Sequence, residues 1–316
     1  MRKPKLSVIL RIIVSLSLLT LLLWLTREHF ARIWLLLSSV NISKFILAFL
    51  VFISGIVFMA WRLKIVLAVQ GYAFTVKNLF SLTLIGYFFT NFMPTSVGGD
   101  LVKGYYISKK TKTKLGSYTA IFVDRIIGML SLVLLASLAL AIMRGDVEDK
   151  FIFWGIIALL LFSIISVLLL SNEKLLKKIV SCLRLTHLLR VLKLDSLVKK
   201  TYDTMNVYAG HKEKLLQTVT LSLIAQFIGF SSIFILSKSL AVDIPFGKIL
   251  LVVPVAFTLC MLPVTMNGLG LREWTFVLFF RSTIGNAAAL SLSLLYLAMF
   301  LLISLIGGII YLFRRE

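Results

Sequence analysis

Apolar runs of eighteen or more residues with few charges recur along the chain, at about 7–26, 45–66, 117–143, 151–171, 215–237 and 284–312. Each is long enough to cross a hydrocarbon core of about 30 Å. In lipid such runs must be helices, because every backbone polar group needs a partner inside the segment. The expected fold is an all-α polytopic membrane protein with about six full transmembrane helices.

Two further apolar regions do not fit as ordinary spans. Residues 79–93 meet Pro94-Thr95-Ser96-Val97-Gly98-Gly99-Asp100, and residues 249–262 meet Pro263-Val264-Thr265-Met266-Asn267-Gly268-Leu269-Gly270. About fifteen helical residues reach only ~22 Å, short of the core thickness. Proline and paired glycines then break the helix, and a second short apolar piece follows. Broken backbone at membrane depth is tolerated where it is buried in protein or lines a polar cavity. Both regions therefore read as re-entrant hairpins, 79–102 and 248–281, with tips near the midplane.

The charge distribution supports this topology. With a cytoplasmic N-terminus and both hairpins returning to their side of entry, the cytoplasmic segments hold 23 of the 34 Lys and Arg and the external segments 8. The other three (Arg11, Arg125 and Arg272) lie in membrane segments. A basic loop at 103–116, with Lys103, Lys109, Lys110, Lys112 and Lys114, falls inside. This is the positive-inside pattern of an inner-membrane protein with both termini cytoplasmic. The first hairpin then enters from the cytoplasm and the second from outside, so the halves 1–143 and 215–316 form an inverted repeat within one integral membrane domain, 1–316. Paired interrupted segments of this kind point to a transporter binding site.

Residues 172–214 separate the halves and carry ten basic and four acidic residues. Apolar positions such as Leu175, Leu176, Ile179, Val180 and Leu183 recur at helical spacing, as expected of a cytoplasmic amphipathic segment lying on anionic headgroups. At the other end, Arg2, Lys3 and Lys5 precede an apolar stretch that resembles a secretory signal. That stretch is too long for an ordinary signal core and lacks a small-residue cleavage site, so it reads as an uncleaved first span with its exit at 26–29.

Composition changes little. The chain is 59% hydrophobic with a mean hydropathy of +1.01. Its net charge of +21 sits mostly in loops on one side, so it points to membrane topology and an anionic leaflet rather than to nucleic acid. Cys182 and Cys260 are far apart, and neither forms a ligand cluster with His29, His187 or His211. No metal and no cofactor are expected. No phosphate-binding loop, nucleophile elbow or zinc-protease motif is present, so no catalytic residue is assigned.

Charged side chains at membrane depth are costly and usually functional. Six stand out: Asp100 and Lys103 after the first break, Asp124 and Arg125 in the third span, and Arg272 and Glu273 after the second break. They sum to zero, as suits mutual pairing in a protein-lined cavity. The second half-helix of each hairpin starts at the tip, so its free N–H groups and positive dipole end point into the membrane interior. Asp100 and Asn267 are expected to cap these starts, and Glu273 stands three residues after Gly270, where a capping-box acid belongs. Gly98, Gly99, Gly268 and Gly270 let a headgroup approach the backbone, and Asn91 serves the carbonyls freed by Pro94. Asp124 and Arg125 are sequential and diverge by about 100°, so each needs a partner elsewhere.

The run Asn91-Phe-Met-Pro94-Thr-Ser-Val-Gly98-Gly99-Asp100-Leu-Val-Lys103, then Asp124-Arg125, then Asn267-Gly268-Leu-Gly270-Leu-Arg272-Glu273, resembles the lysylphosphatidylglycerol synthase/flippase membrane-domain family. The family pattern is N-x-x-P-x-x-x-G-G-D-x-x-R, then E-R, then G-G-x-G-x-R-E. Departures are Lys103 for Arg, Asp124 for Glu and Asn267 for Gly; Lys lacks the bidentate phosphate clamp of Arg. In two-part members this domain moves aminoacylated phosphatidylglycerol between leaflets, while a separate soluble domain performs aminoacyl transfer. Other relatives accompany glycosyltransferases that use polyprenyl phosphates. The resemblance thus implies the translocator half, with membrane lipids as partners and a lipid-modifying enzyme as a further partner. The rival expectations are a membrane-embedded transferase of the phosphatidylglycerol lysyltransferase kind and an anchor subunit for a cytoplasmic enzyme. On the leading reading, Arg125 and Arg272 hold phosphate, while Asp100, Asp124 and Glu273 hold the arginines or a cationic headgroup.

Overall fold

The structure, a computed structural model, describes residues 6–93, 97–142, 154–155, 157–158, 160–161, 207–208, 210–261, 265 and 267–314. Among them the regular elements are all helical. In order they are α1 (Leu6–Leu25), a 3-10 turn (Arg27–His29), α2 (Phe30–Ser38), α3 (Ile42–Val69), α4 (Val76–Phe92), α5 (Gly98–Thr111), α6 (Lys114–Ile142), α7 (Lys212–Ser239), α8 (Phe246–Met261) and α9 (Leu271–Phe313). Four of them, α3, α6, α7 and α9, are long and apolar enough to cross a membrane, and a fifth span results if the bent pair at the N-terminus counts as one. The chain is therefore a multi-pass membrane protein. Most of the span expected at 151–171 and most of the amphipathic segment at 172–214 lie outside the described residues.

Local signals explain the helix boundaries. Asn41 Oδ1 accepts from Lys44 N at 3.0 Å and starts α3. Thr75 Oγ1 accepts from Asn78 N at 3.3 Å and starts α4. Each satisfies an N–H that the first helical turn leaves free. A left-handed Gly71, with φ of +82°, turns the chain between them. Along α9, the break comes at Gly285 (φ 78°, ψ 163°), which divides its 43 residues into a hairpin arm and a final span.

The repeat is visible in the boundaries. α3 and α7 start at 42 and 212 and end at 69 and 239, while α4 and α8 start at 76 and 246; each pair is 170 residues apart. The intervening turns also match. Tyr72 N donates to Leu67 O as Val242 N donates to Ser237 O. The equivalent helices α3 and α7 run antiparallel, with Asn41 N donating to Ser239 O at one end and Arg62 meeting Ser222 near the other. Between these, a Cβ on Gly55 would lie 3.4 Å from the carbonyl oxygen of Ala225. Ala225 is itself 170 residues beyond Gly55, so the two halves cross where a residue meets its own equivalent, as an inverted repeat requires.

Each short apolar region folds back on itself. In the first, α4 and α5 are antiparallel arms: a Cβ on Gly86 would meet both the Gly99 carbonyl oxygen and the Lys103 side chain. The first hairpin then packs on α9, where Gly307 lies so close to Leu84 that a Cβ would fall 2.0 Å from its carbonyl oxygen.

Three expectations are corrected. Residues 30–38, read as lying beyond a membrane exit, form α2, which turns 58° from the preceding helix. Ile33 is 5% exposed and packs into the main core with residues of α7, α8 and α9, so tertiary burial supports a helix too short to span. The lysine-rich stretch 103–116 is not a loop: α5 continues to Thr111 and α6 begins at Lys114. The hairpin arms are correspondingly longer than 79–102 and 248–281.

Candidate functional site

The two hairpin tips meet. Asn267 Nδ2 donates to Asn91 Oδ1 at 2.6 Å, joining the end of α4 to the turn before α9. Among the described residues, Asn91 Nδ2 and Thr265 Oγ1 are buried there without partners. Beside this junction lies a cavity of about 330 Å³, lined by both hairpins together with α3, α6 and α7. Aromatic rings form much of its wall. Tyr87 meets Phe300 edge-on at 5.2 Å, and Phe257 lies 5.5 Å from Tyr296.

Glycine brings the first hairpin's charges into place. A Cβ on Gly99 would lie 2.2 Å from the Gly86 carbonyl oxygen, and one on Gly98 would lie 2.5 Å from Met93 Cβ. No side chain fits at either position without separating the arms. The first turn of α5 therefore presses on α4, and Asp100, its third residue, faces the cavity. Asp100 Oδ2 accepts from Arg125 Nη1 at 2.8 Å, and its other oxygen lies 2.6 Å from Lys103 Nζ.

The second hairpin reaches its start differently. Asn267, Gly268 and Gly270 have φ of +50°, +74° and +82°, so the backbone coils through the left-handed region before α9. Glu273 Oε2 then accepts from Gly270 N at 2.7 Å, while Oε1 accepts from Arg272 Nε at 3.1 Å and Nη2 at 2.5 Å. The Arg272 guanidinium also lies 5.7 Å from the centre of the Tyr296 ring.

Two expected caps are not caps. The residue before α5 is Val97, with no side-chain cap, and the residue before α9 is Gly270. Asp100 instead stands at the third helical position, as Glu273 does in α9. Both carboxylates face the positive end of their helix. Asp100 is turned to Arg125 and Lys103, whereas Glu273 accepts from Gly270 N, as a capping-box acid does, and also pairs with Arg272. Asn267 is occupied with the opposite tip.

Asp124 pairs with a residue that sequence reasoning passes over. Arg62, in α3, donates from Nε to Asp124 Oδ1 at 2.7 Å and from Nη2 to Oδ2 at 2.9 Å, and its Nη1 donates to Ser222 Oγ at 2.7 Å. The fork is bidentate and joins α3, α6 and α7. Gly128, one turn after Asp124, makes room for it: a Cβ there would lie 3.1 Å from Arg62 Nη1. Positive-inside counting assigns Arg62 to the cytoplasmic end of its span. The available signal is a lone arginine flanked by Trp61 and Leu63 before the apolar run ends.

The described candidates thus converge on one region: Asn91, Gly99, Asp100, Lys103, Asp124, Arg125, Asn267 and Arg272 at the tips and cavity wall, with Gly98, Gly268, Gly270 and Glu273 supporting them. Pro94 lies outside the described residues. Exposure separates the ion pairs. Arg62 and Asp124 side chains are 4% and 10% exposed, and Arg272 and Glu273 are 7% and 0%; Lys103, Asp100 and Arg125 are 14%, 22% and 24%. Two pairs are closed, and the third cluster opens into the cavity. Among the described residues no group of three or more His, Cys, Asp and Glu is placed to hold a metal ion.

The chain is 23% identical over 285 residues to a UPF0104 membrane protein of Methanocaldococcus jannaschii, covering 87% of this chain and 84% of that protein. Residues 8–308 match the family described as the lysylphosphatidylglycerol synthase TM region. The match takes in both hairpins and the cavity between them, and the chain belongs to this family.

Proposed function

We propose that the protein is a lipid translocator that carries a phosphate-bearing headgroup between leaflets of the cell membrane. Its substrate class is an anionic or aminoacylated phospholipid or a polyprenyl-phosphate-linked lipid. The observation that carries this reading is the charge at the cavity. Arg62, Lys103, Arg125 and Arg272 stand against Asp100, Asp124 and Glu273, a surplus of one positive charge among the described residues. A buried surplus charge is costly until a counter-charge arrives. A phosphodiester supplies one, and the apolar and aromatic wall suits the start of its lipid chains.

Transport proceeds by rocking one half against the other about the Gly55–Ala225 crossing, which exposes the cavity to each leaflet in turn. The excess of Lys and Arg in the segments 103–116 and 172–214 supports a topology with both termini in the cytoplasm of an inner-membrane protein. A lipid-modifying enzyme, cytoplasmic or membrane-bound, is the proposed partner.

The test is headgroup accessibility in proteoliposomes. A head-labelled phosphatidylglycerol in the inner leaflet should become reducible by an impermeant reductant at least tenfold faster with the native protein than with Arg125→Gln. If the native protein is no faster than empty liposomes for phosphatidylglycerol, its lysyl ester and a polyprenyl phosphate, the proposal is wrong.

A further inference from the structure

We infer that the lipid headgroup taken by this cavity is a phosphodiester with no other charge, and that an aminoacylated, cationic headgroup is disfavoured. This rests on the translocator reading and narrows its substrate. Each carboxylate at the cavity is already engaged. Asp124 is held by the Arg62 fork, Glu273 by Arg272 and the Gly270 N–H, and Asp100 by Lys103 and Arg125 together. A lysyl or alanyl ammonium entering the cavity therefore finds no uncommitted acid among the described residues. It would have to displace a guanidinium or remain unpaired in a low-dielectric space, and either is costly.

The location of the surplus charge makes the same point. Asp100 carries one negative charge against two cations, so the excess resides on Lys103 and Arg125. These are also the most exposed cations of the cluster, at 14% and 24%, against 4% for Arg62 and 7% for Arg272. The unbalanced charge and the accessible charge coincide. Arg125 donates to Asp100 through Nη1, and the rest of its five-donor fork suits a phosphate oxygen. At the adjoining tips, Asn91 Nδ2 is a buried donor without a partner among the described residues, suited to an uncharged hydroxyl or ester oxygen of the headgroup. Neither arrangement favours an ammonium group.

The experiment is titration calorimetry on the full-length protein in neutral detergent. Three probes are used: dioctanoyl phosphatidylglycerol, its lysyl ester and inorganic phosphate. The expected result is binding of phosphatidylglycerol at least tenfold tighter than the lysyl ester, with inorganic phosphate weaker than both. Arg125→Gln should lower phosphatidylglycerol affinity about tenfold and erase the preference. Lys103→Met, checked like Arg125→Gln for an unchanged thermal midpoint, should do the same to a smaller degree. Equal or tighter binding of the lysyl ester overturns the inference and leaves the translocator reading standing. Phosphate alone matching the lipid overturns it in favour of a free-anion site. Failure of both lipids to bind overturns the inference, and the translocator reading falls with it only if a polyprenyl phosphate also fails to bind.

Discussion

The two hairpins have the same architecture but use glycine and charge in different ways. The first uses glycine for space: Gly99 lies against the backbone of Gly86, bringing Asp100, Lys103 and, on the neighbouring helix, Arg125 to an open wall. The second uses glycine for backbone direction. Gly268 and Gly270 hold left-handed conformations, and the charged residues that follow close on each other as a buried Arg272–Glu273 pair. One hairpin thus presents charge to the cavity and the other seals it. A repeat fold can divide its labour in this way, because each half needs the shared geometry but not the shared chemistry.

The same contrast recurs in the helices that cross at the centre. Arg62 in α3 is buried in a bidentate fork, while Ser232, 170 residues later in α7, is a buried hydroxyl without a partner among the described residues. The largest expected effect comes from breaking the fork. Arg62→Met should cost about 3–5 kcal/mol, because Asp124 is left as an uncompensated buried charge, and the double variant with Asp124→Leu should recover most of it. Thermal unfolding in detergent measures both. A loss near zero for the single variant would mean that Asp124 is solvated in the folded protein.

The glycines should give the next largest effects, and in a defined order. Gly99→Ala should cost about 3 kcal/mol or more, because the added Cβ meets backbone, which cannot rotate away. Gly268→Ala should cost about 1–3 kcal/mol, from a strained φ and a Cβ contact of 2.9 Å with Cys260. If Gly268→Ala proves the more damaging, the assignment of space to one hairpin and backbone direction to the other is reversed. The smallest effect is Ser232→Ala, expected within about 0.5 kcal/mol of native stability, because no hydrogen bond is lost.

Much of the fold was legible because the bilayer imposes strict length rules. Apolar regions of about fifteen residues ending in Pro94-Thr-Ser-Val-Gly98-Gly99 or Pro263 through Gly270 cannot be ordinary spans. Helix α2 was not legible, because nine residues carry no spanning signal and their helicity depends on burial of Ile33. The extension of α5 through Lys109 and Lys110 was missed for a related reason: lysines favour helices as readily as loops, and charge counting ignores secondary structure. In the site, the acids and arginines after each break were identifiable as costly charges at depth. Their partners were not. The Arg62–Asp124 fork joins residues 62 positions apart, and an arginine near a helix end looks like one that reaches to water. The exchange of cap for ion pair at Asp100 was hidden because a first-turn acid satisfies the helix dipole in either role.

The central claim is that the tips of the two hairpins meet at one cavity inside the membrane. It is tested most directly by treating with a short bis-methanethiosulfonate cross-linker a protein in membranes that carries Asn91→Cys and Asn267→Cys, with Cys182 and Cys260 replaced by Ser. A matching Gly55→Cys and Ala225→Cys protein serves as the control at the helix crossing. Because the native asparagines share a 2.6 Å hydrogen bond, the tip thiols lie within reach of the cross-linker, and the pair should link within minutes and shift on a non-reducing gel. A tip pair that stays unlinked while the crossing pair links would show that the tips do not meet, contradicting the account.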